Sequence, residues 1–176
     1  ELGLGEDTDG IMVLDASAKV GMPASEYFNL ESDIVFDIGL TPNRSDAMGH
    51  IGVARDLMTV LNHRGGQLQM CKPSTDAFKV LNTSKSITVE VKDNKLCPRY
   101  SGVSISGVKV ANSPSWLKYK LKTIGLTTIN NVVDITNYVL HETGQPLHAF
   151  DIAKINGGKI IVSTIKDGTK FVTLDE

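Results

Sequence analysis

Cysteine is scarce in this chain of 176 residues, with only Cys71 and Cys97 present. Neither has a CxxC neighbour or a matching histidine spacing, so no zinc site and no disulfide framework is implied. Two reduced thiols in a cytoplasmic protein is the plain reading. Long apolar runs are missing too. None approaches the roughly 20 residues that cross a bilayer, and no charged-then-apolar leader precedes a cleavage site, so nothing points to membrane or secretion. An excess of positive charge is also lacking: 18 Lys and Arg face 20 Asp and Glu, a net charge of -2. There is therefore no global electrostatic footprint for nucleic acid, and any RNA contact must be local. No GxxxxGK phosphate cradle occurs. The pairs Gly65-Gly66 and Gly157-Gly158 follow helical or loop segments, not a strand entering a helix, so ATP binding by this chain is not expected. Internal repeats are absent. With 41% hydrophobic and 22% charged residues, the chain can bury one sizeable core or two small ones.

The most informative stretch is 130–151, NNVVDITNYVLHETGQPLHAFD. Val132, Val133, Thr136, Val139, Leu140 and Thr143 recur at three- and four-residue steps, which predicts about four turns of amphipathic helix. Asn131 is the expected N-cap and Gly144 the expected left-handed C-cap. Pro146 stops any continuation because it has no backbone N–H and biases Gln145 towards an extended conformation. The polar turn that follows delivers His148 and Asp151 beside a helix bearing Asp134, Thr136, Asn137 and Glu142. Packing alone does not require that much polar equipment.

Upstream, 11–14 reads as a short strand, 24–30 as a helical turn or two and 34–38 as a half-buried strand. In LTPNRSDAMGHIGVARDLMTVLNHRGG, Ala47, Ile51, Ala54, Leu57, Met58 and Leu61 share one helical face. Ser45 or Asn43 is the expected N-cap, Asp46 lies near the positive end of the dipole, and Gly65 closes the helix. Arg44 and Asp46 flank its entry, where fixing the turn through an ion pair outweighs ligand binding. Periodicity fades over 67–83, and the domain boundary is placed there, with 72–77 as linker. Segments 87–91 and 100–110 alternate as strands. Ser113 is read as the cap of a helix whose first position is Pro114, with Leu117, Leu121 and Ile124 buried, Trp116 anchoring it on a sheet and Gly125 ending it. Lys118, Lys120 and Lys122 on that helix could touch a phosphate backbone, although such a run is usually a solvated face. Segments 159–165 and 170–174 around Lys166-Asp167-Gly168-Thr169 predict a hairpin. The order of elements favours an α+β fold. The start at Glu1 without an initiator Met, and the finish just after a hairpin strand, look like cuts from something longer.

Taken together, LTPNRSD, PSWLKYKLKTIGLTTINNVVDITNYV and GQPLHAFD, in that order, resemble the β subunit of bacterial phenylalanyl-tRNA synthetase across essentially the whole chain. The resemblance implies that 1–71 is the second part of a split N-terminal winged-helix-like domain. Residues 72–77 would be a linker, and 78–176 the front portion of a mixed α/β domain that hydrolyses tyrosine wrongly attached to tRNA(Phe). It maps the editing-pocket threonine and histidine onto Thr136 and His148, with further pocket residues downstream of Glu176. It also implies an α subunit partner in a heterotetramer and tRNA(Phe) as substrate. ATP and magnesium would serve the whole enzyme, with no cofactor or metal in this part, no aminoacylation residue here, no DNA and no membrane. Cytoplasmic localisation follows from the same likeness. Taken singly, His148 is more often a structural histidine, Thr136 a helix residue bonding its preceding turn, and Asn130, Asn131 and Asn137 caps or clamps. The alternative function is a non-catalytic scaffold that positions subunits and tRNA.

Overall fold

The computed structural model describes residues 10–28 and 33–172, and the chain divides into two compact units, Glu1–Asp37 and Ile38–Glu176. In the first unit a single turn of helix, α1 (Ala24–Tyr27), follows Pro23, and the ring of Tyr27 stands edge-on to Phe28 at 4.8 Å. The Tyr27 hydroxyl accepts from the Asp15 backbone N–H at 3.2 Å. The strand expected over 11–14 is not formed, and Ile11 and Val13 are exposed. Period-two patterning stabilises a strand only where a neighbour completes the hydrogen-bond ladder. Part of the expected 24–30 helix, residues 29–30, lies outside the described residues.

The second unit is mixed α/β. Its helices are α2 (His50–His63), α3 (Ser115–Thr123) and α4 (Asn131–Thr143). Its sheet consists of β1 (Thr88–Val91) paired in parallel with β2 (Lys159–Val162), Thr88 opposite Lys159 and Val91 opposite Val162. Parallel strands need a long crossover, and here α3 and α4 supply it. The segments 34–38 and 100–110 make no ladder, contrary to expectation, and Ile34, Phe36, Val103 and Ile105 stay exposed. The turn of the expected hairpin does form, with Gly168 at φ 80 and Thr169 N–H donating to Lys166 O at 3.1 Å. Its flanks do not pair among the described residues: 159–162 goes to β1 instead, and 173–174 lie outside them.

Side-chain burial concentrates where α3 meets α4. Leu117 and Leu121 are buried, as their four-residue spacing predicted. Gly125, at φ 81, ends α3, and Leu126 N–H returns to Leu121 O at 3.0 Å. Trp116 does not lie on a sheet. It is 53% exposed and meets Tyr138 of α4 edge-on at 5.5 Å, a favoured aromatic geometry.

The second helix is preceded by a 3-10 turn, Ser45–Ala47, and the residue capping it is Gly49, so neither Ser45 nor Asn43 caps α2. The cause is steric. A Cβ on Gly49 would lie 2.6 Å from Gly144 N, and one on Gly52 would lie 2.2 Å from Asp46 O. The chain can turn and approach α4 here only without side chains. At the other end, Gly65 adopts φ 95 and Gly66 N–H bonds Leu61 O at 2.9 Å, the expected closure. Asn62 then pins the returning strand of chain, donating to Leu68 O at 2.9 Å and accepting from Leu68 N–H at 2.7 Å.

Candidate functional site

The first turn of α4 is fixed by three side chains, each with a separate task. Asn130, one residue before the cap the sequence favoured, is the N-cap, and its Oδ1 accepts from Val132 and Val133 N–H at 3.0 Å each. Those are two of the donors a helix start leaves unpaired. Asn131 is thereby released for another role. Its Nδ2 donates to Lys109 O at 3.0 Å, its Oδ1 accepts from Ala111 N–H at 3.1 Å, and its own N–H donates to Ala111 O at 2.9 Å. Asp134 is completely buried. Its carboxyl group accepts from the Ser113 hydroxyl at 2.5 Å and from Ile129 N–H at 2.8 Å.

Ser113 is therefore a partner of Asp134, and Pro114 is the residue preceding α3. The serine hydroxyl is turned to donate its proton to the buried carboxyl group, where an unpaired polar group costs about 1 to 3 kcal/mol, and it makes no cap bond to α3. The Ser-Pro pair resembled a local cap, and only the approach of α4 redirected it. One signal was available, since Asp134 is an acidic residue among apolar ones near a helix start. Nothing local named its partners.

Thr136 is half-buried and its hydroxyl donates to Val133 O at 2.6 Å. The hydroxyl proton is thus held by the helix, and what Thr136 offers outward is acceptor capacity. At the far end Gly144 is left-handed, φ 76, with its N–H on Leu140 O at 2.7 Å. The α2 backbone packs on this cap, and His50 Nδ1–H donates to His141 O at 2.8 Å. After the cap the chain has no regular secondary structure up to Asp151, and His148 is exposed, its ring 6.4 Å from Phe150. Asp151 turns back on its own chain, accepting from Ala153 N–H at 3.0 Å. Eight residues of helix, about 12 Å of rise, separate Thr136 from Gly144. No hydrogen bond joins Thr136 to His148 among the described residues. The two side chains are presented separately.

The Arg44 segment is an ion cluster. Arg44 grips Asp46 through two nitrogens, at 3.0 and 3.2 Å, and also pairs with Asp56, while Arg55 reaches Asp46 Oδ2 and Asp46 O at 3.0 Å each. Hydrogen bonding to Arg44 holds the Asp46 carboxylate below its usual range. Every charged group in it has a partner, as the turn-fixing role requires. The apolar face of α2 borders an open groove of about 590 Å³ formed with residues 68–73. His50 and Glu142 also line it. Among the described residues no group of three or more His, Cys, Asp or Glu gathers to hold a metal ion, and no helix is long and apolar enough to cross a membrane.

Residues 96–176 match the model of the B3/4 domain family, which takes in α3, α4, the His148 turn and β2. Over its whole length the chain is similar to phenylalanine–tRNA ligase β subunits. It is 53% identical to that of Bacteroides fragilis over 175 residues, 99% of this chain and 21% of the relative. The β subunit of Bacteroides thetaiotaomicron is 52% identical over 176 residues, 100% of this chain and 22% of the relative. That of Bdellovibrio bacteriovorus is 47% identical over 176 residues, 99% of this chain and 21% of the relative. The chain thus spans about a fifth of the length of the curated relatives it matches. These relatives are subunits of an aminoacyl-tRNA synthetase, and the resemblance carried by the three motifs extends from one end of the chain to the other.

Proposed function

We propose that the chain is a section of a phenylalanine–tRNA ligase β subunit and contributes the front of a site that hydrolyses tyrosine wrongly attached to tRNA(Phe). The observation that carries this reading is the 53% identity to a β subunit over 99% of the chain. On this reading 1–71 completes a winged-helix-like domain, 72–77 is a linker and 78–176 begins the editing domain. Aminoacylation, with ATP and magnesium, belongs to the assembly with the α subunit in the cytoplasm, and no step of it is assigned to residues here.

The chemistry gives a reason for such a site. A pocket built for phenylalanine is apolar and rejects weakly a side chain that merely adds a hydroxyl, so tyrosine is activated too often. Hydrolysing an aminoacyl ester needs a positioned water, a polarised carbonyl and a cavity that selects the side chain. His148, exposed beyond the α4 cap, is the group that can orient that water or the terminal ribose. Thr136, its proton committed to Val133 O, can accept from a ribose hydroxyl.

A second reading, a tRNA-positioning module without chemistry, is favoured by that same commitment of Thr136 to its own helix. Deacylation of tyrosyl-tRNA(Phe) by the complete ligase separates the two. His148→Ala is expected to slow it at least about tenfold, within the range for a positioned side chain in proton transfer, while phenylalanylation is kept. Equal deacylation rates would exclude the editing role of His148.

A further inference from the structure

Charge along the chain is segregated in a way its net value conceals. Between Asp93 and Glu142 there are six basic residues, Lys95, Arg99, Lys109, Lys118, Lys120 and Lys122, and one acidic residue, Asp134. That residue is fully buried against Ser113 and Ile129. Residues 94–141 of the crossover therefore present positive charge in a chain of net charge -2. Three of the six lysines and arginines sit on α3, which has no acidic residue.

We propose that the lysine face of α3 docks the phosphate backbone of an RNA, which, on the function proposed above, is the ligase's own tRNA. Lys118 and Lys122 are four residues apart, hence on one helical face and about 6 Å apart along the axis. Like charges so spaced repel, and α3 offers no carboxylate to relieve them. The helix dipole favours Lys120 and Lys122 in the last turn. It does not account for Lys118 a turn earlier. A polyanion lying along this face relieves Lys118 and Lys122 together.

The same helix argues against a lipid surface. Membrane-binding amphipathic helices insert their apolar face, and here that face, Leu117 and Leu121, is already buried. Besides lysine, α3 exposes aromatic surface. Trp116 is 53% exposed and Tyr119 is half-buried, with Lys120 Nζ 5.7 Å from the Tyr119 ring. Such rings can stack on bases beside a phosphate contact.

The test titrates tRNA(Phe) into the complete ligase, β subunit with its α partner, between about 50 and 200 mM salt, a range over which phosphate contacts dominate affinity. The variant Lys118→Gln/Lys122→Gln is expected to bind severalfold more weakly. Its plot of log K against log salt should be shallower by about 1.4 to 1.8, two phosphates at roughly 0.7 to 0.9 each. Lys118→Arg/Lys122→Arg should keep both affinity and slope, and tRNA-independent activation of phenylalanine should be unchanged in either variant. If the glutamine pair fails to fold, Lys122→Gln at its exposed position should give about half the slope change. Wild-type affinity and slope in the glutamine variants would overturn the proposal. Weakened binding in the arginine pair would do so too, as would lysine-dependent adsorption to phosphatidylserine vesicles with tRNA affinity unmoved. Unchanged binding together with normal tyrosyl-tRNA hydrolysis removes the α3 face alone. Weakened binding in an enzyme that never hydrolyses tyrosyl-tRNA removes the editing role alone.

Discussion

The two ends of α4 are held by opposite means. The N-terminal end is held by side chains: Asn130 caps it, Asn131 clamps 109–111 and the buried Asp134 joins Ser113 to Ile129 N–H. The C-terminal end is held chiefly by their absence, with Gly49 and Gly144 letting two backbones meet, and by a single side-chain bond across to α2, from His50 to His141 O. Polar clasps fix both position and angle because each hydrogen bond is directional, whereas a glycine contact fixes only closeness. The end with more clasps carries Thr136, and the other leads into the exposed His148.

Removing the deepest clasp should have the largest effect. Asp134→Ala orphans the Ser113 hydroxyl and Ile129 N–H and is expected to destabilise the fold by about 3 kcal/mol, read from urea denaturation. A midpoint equal to wild type would mean that water satisfies both donors and that the N-terminal end is not the firmer one.

At the other end Gly49→Val places a branched side chain where Gly144 N would lie 2.6 Å and Thr143 C 2.9 Å from its Cβ. Backbone must move, at about 2 kcal/mol. Chemical shifts of residues 141–148 should change, while those of 109–113 should not. Perturbation of both sets would erase the distinction between the ends.

A smaller effect is expected from Asn130→Ala, about 1 kcal/mol for a lost N-cap. Hydrogen exchange should speed up at Val132 and Val133, whose N–H groups it caps, and not at Leu140. Uniform acceleration along α4 would show that the helix opens as one unit.

The weakest expected effect lies at the sheet and depends on pH. Hydrogen bonds from Lys159 first and Lys92 second depress the Glu90 carboxylate from its ordinary 4.5 to about 2. A depressed folded-state value contributes stability that is fully present above the unfolded value and is lost as pH falls through the folded one. Wild type and Glu90→Gln should therefore differ most above about pH 5 and converge towards pH 2. Because the group is solvent-accessible, added salt should shrink the difference. A difference that grows as the solution is acidified would contradict the pairing.

The sequence by itself determined what depends on near neighbours. Periodicity of three to four residues located α2, α3 and α4, and Gly65, Gly125 and Gly144 ended them in left-handed turns as read. Strand patterning found the two segments that do pair, β1 and β2. The motifs named the relatives, because resemblance is itself a property of sequence. Tertiary structure alone decided which of several competent groups won each partner. Ser113 could cap α3 but serves Asp134, and Asn131 could cap α4 but yields to Asn130. Segment 159–162 could fold back on its neighbour but pairs in parallel across the crossover. Each is a choice between local and distant hydrogen bonds of similar strength. The winner is set by burial, which penalises an unpaired group only after the chain has brought distant residues together.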